Sequence, residues 1–191
     1  MKIAEFIKVP KSNLRGKVVC FPTDTVYGVG ALIDDNLGIE KIYVLKHRDY
    51  NKPLAILAPS VESILPYIEY PTADVIDLMK KYWPGALTII FKKHADLITN
   101  INPRHNTIAF RIPNSKVALA ILNHFGPMAT TSVNLSGSEP LNDLSTIMEN
   151  FNLQIDYLIE DLEKTSNHSS TIIDATTSPI KIIRQGDIVI N

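Results

Sequence analysis

The chain has 191 residues, 45% of them hydrophobic and 20% charged, with 19 basic against 20 acidic side chains and a formal net charge of -1 at pH 7. That length and apolar content suffice for one sizeable core, and the near-balanced charge excludes a global basic field for gripping nucleic acid while leaving room for a local cationic groove. A single cysteine excludes a disulfide framework, and the absence of a signal-like or membrane-length apolar run places the expected location in the cytoplasm.

Residues 17–21 read as the first strand, and Cys20 within that apolar run reads as small core filler. The following segment, Phe21-Pro22-Thr23-Asp24-Thr25-Val26-Tyr27-Gly28-Val29-Gly30, gathers hydroxyls, a carboxylate and two glycines into a predicted turn. Glycine permits close backbone approach to a ligand, and hydroxyls supply neutral hydrogen bonds. The segment is neither a P-loop, for want of Gly-Lys-Ser/Thr, nor a dinucleotide fingerprint, for want of a third glycine. An ordinary strand-to-loop connection is the competing reading.

A helix is predicted over 37–45, followed by Lys46-His47-Arg48-Asp49-Tyr50-Asn51-Lys52-Pro53-Leu54. Attraction of cations to the negative end of the helix accounts for Lys46. It accounts less well for Arg48 and Lys52, which continue into the connection, where a guanidinium fork and a point charge suit a polyphosphate. Strands are predicted at 53–58 and 87–92. Between them a helix over 72–82 ends at Trp83-Pro84-Gly85, a break that buries the indole.

Residues 107–112 alternate, with Ile108, Phe110 and Ile112 on one face and Thr107, Ala109 and Arg111 on the other. The first face reads as core and the second as a site floor or an exposed sheet face. Ser115 is the predicted N-cap of a helix over 115–125, whose stripe of Val117, Ile121, Leu122 and Phe125 ends at Gly126. A strand over 128–133 leads into Thr130-Thr131-Ser132-Val133-Asn134-Leu135-Ser136-Gly137, where Ser132 and Asn134 share a face if the strand continues. Strand-ending turn chemistry explains the same residues.

Further strands are predicted at 157–160 and 171–175, the latter preceded by His168-Ser169-Ser170. Two more, 180–184 and 187–190, are expected to form a hairpin around Gln185-Gly186 beside Arg184. Strands interleaved with helices predict an α/β fold with a mixed sheet, continuous over 1–191. The five histidines show no metal-ligand spacing, so no metal site is expected.

Taken together, Pro22 to Gly28, Lys46-His47-Arg48 with Lys52-Pro53-Leu54, Trp83-Pro84-Gly85-Ala86-Leu87-Thr88, Thr107 to Pro113, Ser132-Val133-Asn134-Leu135-Ser136-Gly137 and Ser170-Thr171-Ile172-Ile173-Asp174 resemble the YrdC/TsaC family of threonylcarbamoyl-AMP synthases in its short form. The motifs occur in family order across residues 17–186. The resemblance implies an open, twisted sheet with a concave, locally positive face. It also implies synthesis of threonylcarbamoyl adenylate and pyrophosphate from L-threonine, bicarbonate and ATP, for threonylcarbamoyladenosine formation in tRNA.

Carried over by motif, Thr25, Arg111, Ser132 and Ser170 are threonine-side contacts, and Arg48, Lys52, Thr107, Asn134, Asn142 and Arg184 are nucleotide-side contacts. Lys46 joins Arg48 as a catalytic cation on the phosphates. The threonine amine first captures carbon dioxide as a carbamate, whose oxygen attacks the α-phosphorus of ATP, so the site must hold two anions close together. Mg²⁺ is expected to be bound through the ATP phosphates. A downstream threonylcarbamoyl transferase complex acting on tRNA is the implied partner; direct tRNA contact is not indicated by net charge, and no membrane is implied. Asp49, Leu57 and Asn142 depart from the family pattern. The alternative from another class is a double-stranded RNA-binding module without catalysis, which would use the concave face.

Overall fold

The computed structural model describes residues 1–95, 101–151, 153–161, 163 and 165–190. Five α-helices are found among them: α1 (Ile3–Phe6), α2 (Asn36–Leu45), α3 (Ala73–Tyr82), α4 (Lys116–Phe125) and α5 (Leu144–Phe151). The strands are β1 (Val19–Phe21), β2 (Gly28–Leu32), β3 (Ala55–Leu57), β4 (Leu87–Lys92), β5 (Thr107–Arg111), β6 (Met128–Ser132), β7 (Tyr157–Leu158), β8 (Thr171–Asp174) and β9 (Lys181–Arg184). They form one open sheet in the order β7-β1-β2-β6-β3-β5-β4-β8-β9. The pairs β1·β7, β3·β5 and β4·β8 are parallel and the others antiparallel, so the sheet is mixed, as predicted.

Side-chain alternation gives this sheet two unlike faces. On the first, Cys20, Val29, Ile56, Ile89, Phe110, Ala129 and Ile173 join residues of α2, α3 and α5 in a continuous apolar core. On the second, Val19, Phe21, Leu32, Leu57 and Met128 pack under α4 and Phe6 of α1. Ser115 caps α4 as predicted, its Oγ accepting from the Ala118 amide at 2.9 Å, and the Glu163 carboxylate accepts from the Lys116 amide at 2.6 Å. Beyond the reach of α4, the second face carries Gly28 and Gly30 of β2, Ala55 of β3, Thr88 of β4, Ala109 and Arg111 of β5, and Thr130 and Ser132 of β6. Small and polar residues there leave the sheet uncovered, and that opening is where the candidate site lies.

Two local expectations are corrected, and one element was missed. The segment read as a turn through Gly30 contains β2, fully buried between β1 and β6. A Cβ on Gly30 would lie 2.9 Å from Thr130 Oγ1, so glycine serves close strand packing there and not a turn. The terminal hairpin joins β8 to β9, not 180–184 to 187–190. Residues 187–190 form no strand; they fold back so that the Ile188 carbonyl accepts from Thr171 Oγ1 at 2.7 Å and the Val189 carbonyl from the Tyr82 hydroxyl at 3.2 Å. Helix α5 was not anticipated, although Leu144, Ile147, Met148 and Phe151 recur at helical spacing and the Asp143 carboxylate accepts from the Thr146 amide at 2.8 Å.

Candidate functional site

The uncovered half of the second face is the floor of a cavity of about 250 Å³. Its lining brings together Thr25, Arg48, Arg111, Ser132, Ser170 and Arg184, six of the predicted residues, from segments spread over most of the chain. A larger groove of about 810 Å³ runs past Glu69, Tyr70, Asp74 and Asp77 at the start of α3, but it contains none of the predicted residues. Convergent polar chemistry, not size, identifies the smaller cavity as the site.

Arg111 lies on the floor of the cavity. It is the last residue of β5 and only 5% exposed, and all three of its nitrogens are engaged. Nε donates to the Gly85 carbonyl at 2.9 Å, Nη1 to Thr25 Oγ1 at 2.7 Å and Nη2 to Asp24 Oδ1 at 2.5 Å. Burial lowers the guanidinium pKa, an effect opposed by the Asp24 carboxylate and reinforced by the charge of Arg184. A planar fork fixed at three points leaves its two remaining N–H groups with defined directions, a geometry suited to a carboxylate or carbamate. Thr25 is held in turn by Thr23, whose Oγ1 lies 3.0 Å from Thr25 Oγ1 and donates to the Val26 carbonyl at 2.7 Å.

Opposite, Ser170 Oγ lies 2.8 Å from Thr88 Oγ1 and accepts from Arg184 Nη2 at 3.2 Å. Arg184 also donates to the Ser170 carbonyl through Nε at 3.0 Å and Nη2 at 2.8 Å. Arg184, carried over as a nucleotide contact, is therefore hydrogen-bonded to a residue carried over as a threonine contact. On the remaining wall, Arg48 donates from Nε to the Lys52 carbonyl at 3.2 Å and from Nη2 to the Pro53 carbonyl at 2.9 Å. Burial lowers the pKa of both Arg48 and Arg184.

Lys46 does not share that wall. Helix α2 ends before it, and His47 adopts a left-handed φ of 49°, so the chain turns and sends Lys46 inward, only 1% exposed, while Arg48 reaches the cavity. Lys46 Nζ donates to the Ser132 carbonyl at 2.6 Å, the Asn134 carbonyl at 2.7 Å and Asn134 Oδ1 at 2.6 Å. All three ammonium protons are thereby used. Burial first, and the charge of Arg48 second, lower its pKa to about 8. Strand β6 stops at Ser132, but the turn still brings Ser132 Oγ to Asn134 Oδ1 at 2.7 Å. Lys46 and Asn134 thus form a support behind Ser132.

The other predicted contacts stand outside the cavity lining. The Lys52 side chain is exposed. Thr107 opens β5 at the far end from Arg111 and lines a neighbouring hollow with Lys92, His94 and His105. Asn142 Oδ1 accepts from the Tyr27 amide at 3.4 Å. Conversely, Thr23, Asp24, Thr88, Thr130 and Ser169 were not singled out, although all but Asp24 line the cavity and Asp24 pairs with Arg111. Alternation in 87–92 carried the signal for Thr88, isolated among apolar neighbours on its strand, and Thr130 opens the hydroxyl run Thr130-Thr131-Ser132.

Hydroxyls and three guanidinium groups surround a space that contains no nucleophile of lowered pKa. Cys20 lies in the opposite core, with its thiol pKa pushed up by burial. Among the described residues no group of three or more His, Cys, Asp and Glu side chains is arranged to hold a metal ion. The arrangement suits positioning and electrostatic stabilisation of anions.

Comparison with known proteins finds relatives over nearly the whole chain. A putative threonylcarbamoyl-AMP synthase of Methanocaldococcus jannaschii is 35% identical, the match covering 99% of this chain and 88% of that protein. The threonylcarbamoyl-AMP synthase of Vibrio campbellii is 32% identical, over 95% of this chain and 98% of that one. Among solved structures, Pyrococcus abyssi Sua5 complexed with L-threonine superposes with a TM-score of 0.87 at 30% identity, covering 96% of this chain and 54% of Sua5, about half its length. The Sua5/YciO/YrdC family model, described as telomere recombination, matches residues 13–186, and the chain belongs to that family.

Proposed function

We propose that this protein is an L-threonylcarbamoyladenylate synthase. It uses ATP as a substrate and joins threonylcarbamate to AMP with release of pyrophosphate. The observation that carries the reading is Arg111 at the floor of a hydroxyl-lined recess with Arg48 and Arg184 on its walls. Relatives bearing the synthase name, at 32% and 35% identity over nearly the whole chain, support it.

In this reading L-threonine lies over Arg111, which receives its carboxylate, while the Thr25 and Ser170 hydroxyls hold its polar groups. Bicarbonate supplies the carbon dioxide that the threonine amine captures. The resulting carbamate oxygen attacks the α-phosphorus of ATP in line with the departing pyrophosphate. Arg48 neutralises charge on the phosphates; Ser132 faces the junction of the two substrates, and Lys46 with Asn134 fixes its position. Lys52 and Thr107 reach the nucleotide only at the rim. The cavity lining supplies no carboxylate cage, so Mg²⁺ would be held through ATP's own phosphates.

The 1–191 chain acts as one catalytic unit, a reading supported by its continuous sheet. Its product passes to a transferase that modifies tRNA in the cytoplasm. No helix among the described residues is long and apolar enough to cross a membrane. A double-stranded RNA module would spread its cations over an exposed face, whereas Arg111 here is recessed and buried.

The test is pyrophosphate release with ATP, bicarbonate and L-threonine, each omitted in turn. Release that needs all three is expected. Release without threonine, or none with all three present, would sink the assignment.

A further inference from the structure

The wall of the cavity that carries Arg48 is held from outside by a second loop. Asn102 is 7% exposed and lies outside the cavity lining, yet its side chain clasps the backbone of Leu54 on both sides. Its Oδ1 accepts from the Leu54 amide at 2.9 Å and its Nδ2 donates to the Leu54 carbonyl at 2.9 Å. Two bonds of that kind reproduce a rung of a β-ladder with a side chain in place of a strand. Leu54 lines the cavity and directly follows Pro53, whose carbonyl, with that of Lys52, accepts from the Arg48 guanidinium.

The same loop reinforces the clasp. Arg104 Nη1 donates to Asn51 Oδ1 at 2.6 Å, and the His105 ring nitrogen Nε2 lies 3.0 Å from the Asn51 carbonyl oxygen. Asn102 is itself fixed in a left-handed conformation, φ 47°, with its carbonyl accepting from Lys93 Nζ at 2.9 Å and the His105 amide at 3.0 Å. Asparagine is among the few residues that adopt this backbone conformation readily while offering both a donor and an acceptor.

We propose that Asn102 is a positioning residue for ATP: by fixing Leu54 it fixes the Lys52 and Pro53 carbonyls that aim Arg48 into the cavity. The chain of contacts runs from Asn102 to Leu54, through the adjoining backbone, and on to Arg48. None of the side-chain hydrogen bonds that hold Arg111, Thr25 and Ser170 involves Asn102 or Leu54, and the backbone pairing of β3 with β5 begins only after Leu54. Loss of the clasp should therefore weaken the nucleotide side and spare the threonine side. The inference rests on the synthase reading and on Arg48 facing the nucleotide.

Asn102→Gly tests it, because glycine accepts the left-handed backbone while removing the amide. The expected result is a rise of about tenfold in the apparent KM for ATP and in its Kd by calorimetric titration, with the apparent KM for L-threonine at saturating ATP unchanged. If that variant does not fold, Asn102→Asp, which keeps the acceptor for the Leu54 amide and loses the donor, decides by the same two readouts. In an Arg48→Ala background Asn102→Gly should change ATP affinity no further. Unchanged ATP affinity, equal weakening for both substrates, or additive losses in the double variant would overturn the proposal while leaving the synthase reading intact. Absence of ATP binding by the unmodified protein would overturn both.

Discussion

Arg111 Nη1 and Thr25 Oγ1 meet at 2.7 Å across a sequence separation of 86 residues, joining the end of β5 to the loop before β2 at the floor of the cavity. With Gly85 and Asp24 as its other partners, Arg111 is oriented by two separate segments, the Asp24-Thr25 loop and the turn at Gly85. Arg111→Lys keeps the charge and loses the planar fork, so it can satisfy at most part of this set. The apparent KM for L-threonine should rise roughly tenfold to a hundredfold at saturating ATP, while the Kd for ATP changes little. A variant that handles threonine normally, or that loses mainly ATP affinity, would show Arg111 to serve the other substrate.

Lys46 gives a pH dependence whose sign differs between activity and stability. Its ammonium supplies three donors to the Ser132 carbonyl and to the two oxygens of Asn134; deprotonation leaves two. With its pKa lowered to about 8, synthesis should decline through one ionisation as pH rises past that value. The unfolded chain holds its proton to about 10.4, so over the interval between the two values the unfolded state binds more protons, and this group's contribution to stability rises with pH. Rate profiles of the unmodified protein and of Lys46→Met would check the first statement. A decline of equal midpoint and depth in both would dissociate it from Lys46.

Eight of the lining residues, among them Thr23, Thr25, Thr88 and Ser170, carry hydroxyls. A site built to hydrogen-bond a substrate hydroxyl leaves its own groups unpaired when the substrate lacks one. L-Valine, close to L-threonine in shape, should therefore support pyrophosphate release roughly 10³-fold less well in kcat/KM. Comparable rates with the two amino acids would place the hydroxyls in some other role.

What the sequence made legible follows from which physical rules act locally. The alternation of 107–112 placed Ile108 and Phe110 in the core and Arg111 on the site face, because a strand's period is fixed by its backbone. The Ser115 cap was readable for the same reason, as one residue acting on the next turn. Gly28 and Gly30 misled because their value lies in contact with Thr130, one hundred positions away, and no local pattern reports that. Lys46 and Arg48 were grouped by spacing, whereas the left-handed turn at His47 sends them to different surroundings. Which of the polar residues share one cavity is a property of the sheet order, where β6 lies between β2 and β3 and β8 beside β4, and that order is set by long-range pairing.

Gly186 shows how the tail after β9 reaches the site. A Cβ there would fall 2.3 Å from the Ser169 carbonyl oxygen and 2.5 Å from the Thr171 amide nitrogen, both backbone atoms that cannot swing aside. Its amide donates to Thr171 Oγ1 at 2.9 Å, so the close approach is itself part of the structure. Gly186→Ala must push the tail outward or shift residues 169–171, and Ser170 lies between the two atoms it would strike. Outward movement would break the bonds from Thr171 Oγ1 to Ile188 and from Tyr82 to Val189. It would also pull on Arg184, two residues away, which holds Ser170 by three hydrogen bonds. Either displacement disturbs Ser170, so the variant should lose about 1–3 kcal/mol of stability and also raise the apparent KM for L-threonine below its melting range. Thermal melts and threonine titrations of the folded variant are the measurements; a destabilised variant with an unaltered threonine requirement would show the tail to be a prop for the fold alone.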